Sequence, residues 1–153
     1  MSKLSRITIR KATNLDSRLL FDLRNNPEIY ASFFNVDGIS ENEHDEWFEV
    51  SLKSTNREIF IIQNDNFSIG MVRLDYFERE KVVEISIHVH PNLQGKGYAS
   101  EALNCISKTV NDFFPKALYL RAKIKSGNAA SIRLFEKAEY KVKYLCLEKN
   151  ICR

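Results

Sequence analysis

The chain has 153 residues, of which 44% are hydrophobic and 28% are charged, and its formal net charge at pH 7 is +3. This composition is typical of a soluble globular protein and argues against disorder. The small net charge, without a run of five or more basic residues, argues against a nucleic-acid surface. We expect a single domain over residues 1–153 that buries roughly 70% of the surface exposed by its unfolded chain.

Neither the amino terminus nor the cysteines indicate export. The opening sequence MSKLSRITIRKATNL lacks the apolar stretch of a signal peptide, and no segment reaches the ~20 apolar residues of a membrane-spanning helix. The chain has an odd number of cysteines without C-x-x-C spacing, namely Cys105, Cys146 and Cys152. This argues against a disulfide framework or a zinc site. We expect a cytoplasmic protein with reduced thiols, no metal, and no membrane or nucleic-acid partner.

The first residues predict a strand and then a helix. Residues 5–11 alternate apolar and polar side chains, as a half-buried strand does. Thr13 or Asn14 can cap a helix that turns a row of leucines inward: Leu15, Leu19, Leu20 and Leu23. Pro27 then interrupts the helical pattern, and an aromatic-rich loop is expected after it.

A second helix and three consecutive strands follow. Ser40 and Glu43 form a capping box for a helix with the expected inward residues Trp47, Phe48 and Leu52. The period then becomes that of strands, and the turn Asp65-Asn66 predicts a hairpin. The third strand, KVVEISIHV, has one apolar face, formed by Val83, Ile85, Ile87 and Val89. Its other face carries Glu84, Ser86 and His88.

The remaining elements alternate between helix and strand. A helix runs from Gly97 to Pro115, and residues 117–124 predict a strand. Asn128 caps a short helix, and residues 140–149, YKVKYLCLEK, predict a closing strand. The order β-α-α-β-β-β-α-β-α-β predicts a mixed α/β (α+β) domain. Antiparallel strands come first, and a strand–helix–strand crossover follows.

A glycine turn separates the third strand of the hairpin region from the long helix, in HPNLQGKGYASEAL at residues 90–103. A nucleoside-triphosphate loop is excluded, because Lys96 is followed by Gly97 and no glycine stands at the required earlier place. A dinucleotide loop lacks its third glycine at Ser100 and the parallel βαβ context. Helix-start N–H groups bind phosphate oxygens, and glycine lets them come close. On the residues alone, a turn that only starts a helix is the alternative.

The pattern Gln94-x-x-Gly97-x-Ala99 after a strand resembles the coenzyme A loop of the GNAT superfamily, the Gcn5-related N-acetyltransferases. About thirty residues later, NAASIRLFEKAEY is similar to the family's second motif, N-x-x-A-x-x-L-Y-E-K-x-G-F. The element order also resembles that family. The resemblance implies a GNAT fold with antiparallel first strands, parallel fourth and fifth strands that splay apart, and about four helices. It also implies acetyl-CoA as cosubstrate and direct attack of an amine on its thioester.

The resemblance implies three groups of coenzyme contacts. The main chain of the strand before the loop would hold the pantetheine arm: Ile87, His88 and Val89. The loop amides would hold the pyrophosphate: Gln94, Gly95, Lys96, Gly97, Tyr98 and Ala99. The start of the last helix would lie beside the far side of the coenzyme: Asn128 and Ser131.

For the chemistry, a main-chain N–H near Val89 can stabilise the oxyanion. Glu84 and His88 are the candidate bases for the amine, although both can equally be a polar strand face that pairs with its neighbours. Phe135 stands where the family commonly has a tyrosine near the coenzyme sulfur. The proton donor is therefore left among water, other side chains such as Tyr98 and Tyr140, or none.

The segment between the first two helices resembles N-acetyltransferases of nucleotide-linked amino sugars from bacterial surface-glycan and pseudaminic-acid pathways. The expected acceptor contacts are Arg24, Phe33, Phe34 and His44, because guanidinium binds phosphate and aromatics stack on a base or sugar. The region EISIHVHPNLQGKGYASEAL also resembles acetyltransferases of ribosomal-protein amino termini, which is the alternative. A coenzyme-binding module without turnover is a third hypothesis, and a homodimer is left open.

Overall fold

The computed structural model describes residues 4–34 and 37–151 and contains one five-stranded sheet. The strands lie side by side in chain order: β1 (Thr8–Lys11), β2 (Arg57–Asn64), β3 (Phe67–Phe77), β4 (Val82–Val89) and β5 (Tyr119–Arg121). Only the β4–β5 pair is parallel, and the other three pairs are antiparallel. The predicted mixed sheet is therefore confirmed.

Helices cover both faces of this sheet: α1 (Ser17–Asn25), α2 (Pro27–Tyr30), α3 (Glu41–Lys53), α4 (Tyr98–Phe113) and α5 (Ala129–Lys137). The described residues thus hold five α-helices instead of about four. The additional helix, α2, lies in the predicted aromatic loop, where Pro27 occupies its first turn and the Asn26 side chain accepts the Glu28 N–H. Within residues 4–34 and 37–151, no helix is both long and apolar enough to cross a bilayer.

Two hydrophobic cores form, one on each face of the sheet. The core beneath α4 and α5 includes the apolar face of β4 together with Leu103, Ile106 and Phe135. The core beneath the first three helices contains Leu20, Leu23, Ile29, Phe48, Ile59, Ile61 and Met71. Because strand side chains alternate in direction, the polar face of β4 points to the side of α1–α3.

Most local sequence signals give the predicted structure, with two exceptions in packing. The capping box is present, since the Glu43 carboxylate accepts the Ser40 N–H at 2.7 Å and the Ser40 hydroxyl accepts the Glu43 N–H at 3.3 Å. Leu15 was expected to be buried but is 88% exposed, because a 3-10 turn at 14–16 precedes α1 and changes the helical phase. Leu52 is also exposed, since Ser51 takes the inward position.

Gly70 permits a close approach between β3 and β4. It lies opposite Val89, and a Cβ at this position would clash with the His88 carbonyl oxygen and lie 3.0 Å from the Val89 Cα. Its φ is not positive, so close contact alone demands glycine here. The preceding hairpin turn, Asp65-Asn66, has φ values of 46° and 68° and confirms the predicted hairpin.

Strand β5 pairs with only the first part of β4. The parallel ladder stops at Glu84 opposite Arg121, so the rest of β4 has no neighbour on that side. The predicted strand at 117–124 is accordingly shorter, and the predicted splaying of the two parallel strands is confirmed. A wedge opens between them, bordered by residues 85–89.

The strand predicted at residues 140–149 is wrong for the single chain. Residues 141–151 have no regular secondary structure and are exposed. A strand needs a neighbour for its main-chain hydrogen bonds, and nothing in the described part of the chain provides one for this segment.

Candidate active site

The main chain of β4 presents hydrogen-bonding groups to the wedge. The His90 N–H donates to the Ile69 carbonyl of β3 at 2.8 Å. Successive residues of a strand direct their main-chain N–H and C=O groups to opposite sides, so the main-chain groups of His88 also face β3. The main-chain groups of Ile85, Ile87 and Val89 therefore face the open side of β4. The predicted contacts of Ile87 and Val89 with a pantetheine arm fit this geometry. The predicted contact of the His88 main chain with the pantetheine arm does not fit, because the N–H and C=O groups of His88 face β3.

The glycine loop, residues 94–99, ends at the start of α4. Gly95 and Gly97 have φ values of 75° and 87°, in the region that favours glycine. No backbone carbonyl of the described residues accepts the N–H groups of Gly95, Lys96 or Gly97. Together with the first-turn amides of α4 from Tyr98 onward, they form a row of donors at a helix N-terminus that fits a pyrophosphate.

Gln94 was expected to contribute its main-chain N–H to the pyrophosphate, but this N–H is already hydrogen-bonded. Its N–H donates to the Pro91 carbonyl at 3.3 Å, and its side-chain amide donates to the Val89 carbonyl at 3.2 Å. Its main chain is therefore engaged within the turn. The side chain instead ties the loop to the end of β4.

Arg6 supports the glycine loop from the amino-terminal segment, a role that the sequence analysis missed. Its guanidinium donates to the Lys96 carbonyl at 2.9 Å and to the Glu101 carboxylate at 2.7 Å. It also lies 4.8 Å from the centre of the Tyr98 ring. These partners are about ninety residues away along the chain, so no local pattern signals the contact.

A cavity of about 460 Å³ connects the wedge with the helices on the opposite side. Its wall contains most of the predicted site residues: Arg24, Phe33, Phe34, His44, Glu84, Ile87, His88, Asn128, Ser131 and Phe135. Residues from α1, α3, β4 and α5 therefore meet around one space. Asn128 accepts the Ser131 N–H at 3.2 Å, which caps α5 at this wall.

His88 lies in a positively charged part of the cavity wall. The His88 and Phe33 rings are perpendicular to each other, and their centroids are 4.8 Å apart. Burial, and then the charges of Arg73 and Arg24, lower the pKa of His88 to about 4. The imidazole is therefore neutral at physiological pH and a weaker base than an ordinary histidine.

This environment predicts a pH-dependent stability. The free energy of unfolding should fall by up to about 3 kcal/mol as pH drops from 6.5 to about 4. In that window the unfolded state, with an ordinary histidine pKa, binds more protons than the folded state, so stability rises with pH. Urea unfolding at several pH values should show a flatter profile for His88→Gln. The exposed His90, changed in the same way, should leave the profile as it is.

Glu84 is held by two basic side chains. Its carboxylate lies 3.2 Å from the Arg121 Nε and 3.4 Å from the Lys123 Nζ, and its side chain is 17% exposed. These ion pairs fit the structural alternative for Glu84. A role in proton transfer would require Glu84 to leave part of this network.

The aromatic residues of the site divide by accessibility. Phe34 is 67% exposed at the cavity rim, whereas Phe33 lies with the Arg24 guanidinium 4.3 Å from its ring centre. His44 was expected to be free to reach a ligand but is only 2% exposed, with Nε2 2.9 Å from the Ser17 carbonyl. Because a carbonyl oxygen only accepts, Nε2 donates in this contact, and Nδ1 has no hydrogen-bond partner among the described residues.

No tyrosine hydroxyl of the described residues lines the cavity. Phe135 lies in its wall and is 6% exposed, and the Tyr140 ring packs against it at 4.9 Å. Burial raises the pKa of Tyr140 to about 12. Neither Tyr140 nor Tyr98 faces the cavity, so the geometry gives no support to either as the proton donor.

An antiparallel sheet that ends in a splayed parallel pair, with a donor-rich loop beside the splay, defines a coenzyme A-dependent acyltransferase fold. A family model described as an acetyltransferase (GNAT) domain matches residues 6–141. The chain therefore belongs to the GNAT acetyltransferases, uses acetyl-CoA as cosubstrate, and is an N-acetyltransferase. No curated protein sequence matches it significantly.

Solved structures support the same fold. The spermidine N-acetyltransferase from Vibrio cholerae in complex with CoA and spermine has a TM-score of 0.85 and 20% identity, covering 97% of this chain and 88% of that one. A domain from Methanocaldococcus jannaschii gives 0.77 and 28%, covering 90% and 89%. The ribosomal L7/L12 alpha-N-protein acetyltransferase in complex with coenzyme A gives 0.78 and 14%, covering 92% and 82%. Across the described ranges, no group of three or more His, Cys, Asp or Glu side chains could hold a metal ion.

Proposed function

We propose that the acetyl acceptor is the amine of a nucleotide-linked amino sugar. The observation that carries this proposal is the pair of guanidinium groups, Arg24 and Arg73, in the cavity wall beside His88. Asp75 is shared between Arg73 and Arg57, at 2.8 and 2.5 Å, so one carboxylate faces two arginines. Guanidinium groups bind phosphate with paired hydrogen bonds, as a diphosphate-linked sugar would require.

The same charges oppose a polyamine acceptor. After burial, the charges of Arg73 and Arg24 are the next causes of the lowered pKa of His88. Burial, and then the charge of Arg73, lowers the pKa of Arg24. Two carboxylates of the described residues line the cavity: Glu84 pairs with Arg121 and Lys123, and Glu43 accepts the Ser40 N–H at the start of α3. A polycation such as the spermine of the Vibrio cholerae enzyme would meet like charge here. At 20% identity, that likeness supports the fold and not the acceptor.

The remaining groups of the acceptor would be met by the other cavity residues. The exposed ring of Phe34 can stack on a base or sugar face.

For the reaction, acetyl-CoA supplies the thioester whose acetyl group is transferred. We propose that the Val89 N–H, which faces the wedge, stabilises the developing oxyanion. Neutral His88 would accept a hydrogen bond from the attacking amine and orient it, with Glu84 as the other candidate base. The N–H groups of Gly95–Ala99, with Asn128 and Ser131 nearby, would hold the coenzyme. We further propose a cytoplasmic location and a homodimer.

Acetylation of a protein amino terminus is the second candidate, supported by the resemblance of residues 84–103, EISIHVHPNLQGKGYASEAL, to acetyltransferases of ribosomal-protein amino termini. Release of coenzyme thiol from acetyl-CoA should be measured with a UDP-linked amino sugar, the free amino sugar, a peptide with a free amino terminus, and spermidine. The UDP-linked sugar should give the highest kcat/KM. A higher kcat/KM with the peptide or spermidine would reject the proposal.

Arg24→Gln tests the phosphate contact directly. We expect this change to raise the KM of the UDP-linked sugar about tenfold, which corresponds to the loss of one charged hydrogen-bonding group. The KM of acetyl-CoA and the kinetics with the free amino sugar should stay constant. Arg18→Gln is the matched control, because Arg18 lies on the same helix but is 70% exposed. Equal losses with the linked and the free sugar would contradict a phosphate contact.

A further inference from the structure

Arg6 contacts the glycine loop through a carbonyl group and not through its N–H donors. Its Nη2 donates to the Lys96 carbonyl at 2.9 Å. The Lys96 carbonyl and the Gly97 N–H belong to one planar trans peptide group, in which the two bonds point in opposite directions. A guanidinium on the carbonyl therefore leaves the Gly97 N–H directed to the other side of the loop, where it can meet a pyrophosphate.

This contact strengthens the Gly97 N–H as a donor. A hydrogen bond from a charged group is roughly twice as strong as one between neutral groups. A hydrogen bond to the carbonyl end of a peptide group polarises that group, so its N–H end donates more strongly. Because a guanidinium keeps its charge at every pH that the folded protein meets, Arg6 provides this polarisation permanently.

Glu101 is a second reason for an arginine at this place. It is the fourth residue of α4, and a carboxylate in the first turn stabilises the helix start but repels an anion bound there. Burial would raise the pKa of Glu101, but hydrogen bonds from Arg6 lower it below its usual value, so this carboxylate is charged at neutral pH. Among residues 4–34 and 37–151, Arg6 is the one basic side chain within ion-pair distance of Glu101.

The structure holds Arg6 in place although its side chain is 41% exposed. Its N–H donates to Oε2 of Glu101 at 3.0 Å, and its Nε donates to Oε1 of the same carboxylate at 2.7 Å. Its carbonyl accepts the side-chain amide of Asn64 at 2.7 Å, and the next residue, Ile7, is buried in the core. Both main-chain groups and the guanidinium are thus fixed before a ligand arrives, which lowers the cost of ordering them on binding.

We propose that Arg6 is a positioning residue for acetyl-CoA, which strengthens the Gly97 N–H through the Lys96 carbonyl and neutralises Glu101 beside the pyrophosphate. This inference rests on the proposed placement of the pyrophosphate at the loop amides. Arg6 acts through its neighbours and does not need to touch the coenzyme. An ion pair that only stabilised the fold would leave the affinity for acetyl-CoA unchanged.

Calorimetric titration with acetyl-CoA tests this role. We expect Arg6→Gln to raise the Kd about tenfold, and Arg6→Lys, which keeps the charge but not the paired geometry, to raise it about threefold. The double variant Arg6→Gln, Glu101→Gln should bind at least about threefold more tightly than Arg6→Gln, because the unpaired carboxylate is gone. A parental Kd for Arg6→Gln, or a double variant that binds no more tightly than Arg6→Gln, overturns the proposal.

Arg10→Gln is the matched control for the loss of an ion pair. Arg10 pairs with Asp16 at 2.8 Å, and its hydrogen bonds within the described ranges reach only Lys11 and Asp16. We expect this change to lower the free energy of unfolding in urea and to leave the Kd of acetyl-CoA constant. If Arg10→Gln weakened binding as much as Arg6→Gln, the loss would reflect general stability and the proposal would be rejected.

Gly97→Ala separates this proposal from the placement of the pyrophosphate. Weak binding by Gly97→Ala together with parental binding by Arg6→Gln would leave the coenzyme at the loop and reject only the role of Arg6. Parental binding by both folded variants would reject the placement itself, and this proposal with it. Circular dichroism shows whether each variant is folded. Arg6→Met, which keeps most of the apolar stem, repeats the test with the same expected loss if Arg6→Gln does not fold.

Discussion

Replacing Gly97 with alanine is expected to weaken acetyl-CoA binding by about tenfold. Gly97 precedes α4 with a φ of 87°, a conformation that costs an L-residue roughly 1–2 kcal/mol. Its new Cβ would also lie 3.1 Å from Nη2 of Arg6, the side chain that supports the loop. The loop would have to leave the geometry that directs its N–H groups to the pyrophosphate, and calorimetric titration with acetyl-CoA measures the loss.

Two other glycines give a graded control. Gly127→Ala introduces no positive φ and meets no atom within 4 Å, so it should bind acetyl-CoA as the parent does. Gly95→Ala has the φ penalty at 75° but no close neighbour, and its affinity should lie between the other two. Circular dichroism shows whether each variant is folded. A folded Gly97→Ala protein with parental affinity would mean that this loop does not hold the pyrophosphate.

Signals that depend on a few neighbouring residues predicted the fold well. The capping box at Ser40, the hairpin turn at Asp65-Asn66 and the alternation along β4 each act within a span of eight residues or fewer. The glycine turn before α4 also lies between the elements that the sequence predicted. The order of elements from β1 to α5 followed from these signals, apart from the short helix α2. The splay of the parallel pair was implied by the resemblance to the GNAT superfamily.

Properties that depend on distant partners could not be predicted. The pKa of His88 was expected near neutral pH, yet burial, and then the charges of Arg73 and Arg24, lower it to about 4. His44 is polar and was therefore expected to be accessible, but its ring packs among Phe21, Trp47 and Phe48 in the helical core. In both cases, residues from separate elements set the environment. The closing strand failed for a related reason, because a strand pattern indicates a conformation and not the neighbour that must complete it.

Gly70→Ala is expected to destabilise the protein by about 1–3 kcal/mol and to lower kcat/KM by roughly tenfold to a hundredfold. Because φ at Gly70 is not positive, alanine adopts this conformation without strain and would otherwise stabilise slightly by restricting the unfolded chain. A loss therefore comes from the contact of the new methyl group with the His88 carbonyl and Val89 Cα. Urea unfolding and steady-state kinetics measure the two effects.

The kinetic effect of Gly70→Ala reaches the site through the backbone of β4. Pushing the His88–Val89 peptide away from β3 moves the Val89 N–H that faces the wedge and the His88 ring that faces the cavity. Ser68→Ala, on the same strand at an exposed position, should change neither stability nor kcat/KM appreciably. If Gly70→Ala lost stability but kept the parental kcat/KM under folded conditions, the position of this peptide would not limit the reaction. Reduced kcat at unchanged acetyl-CoA affinity would instead place the effect on the transferred acetyl group, as oxyanion stabilisation by Val89 requires.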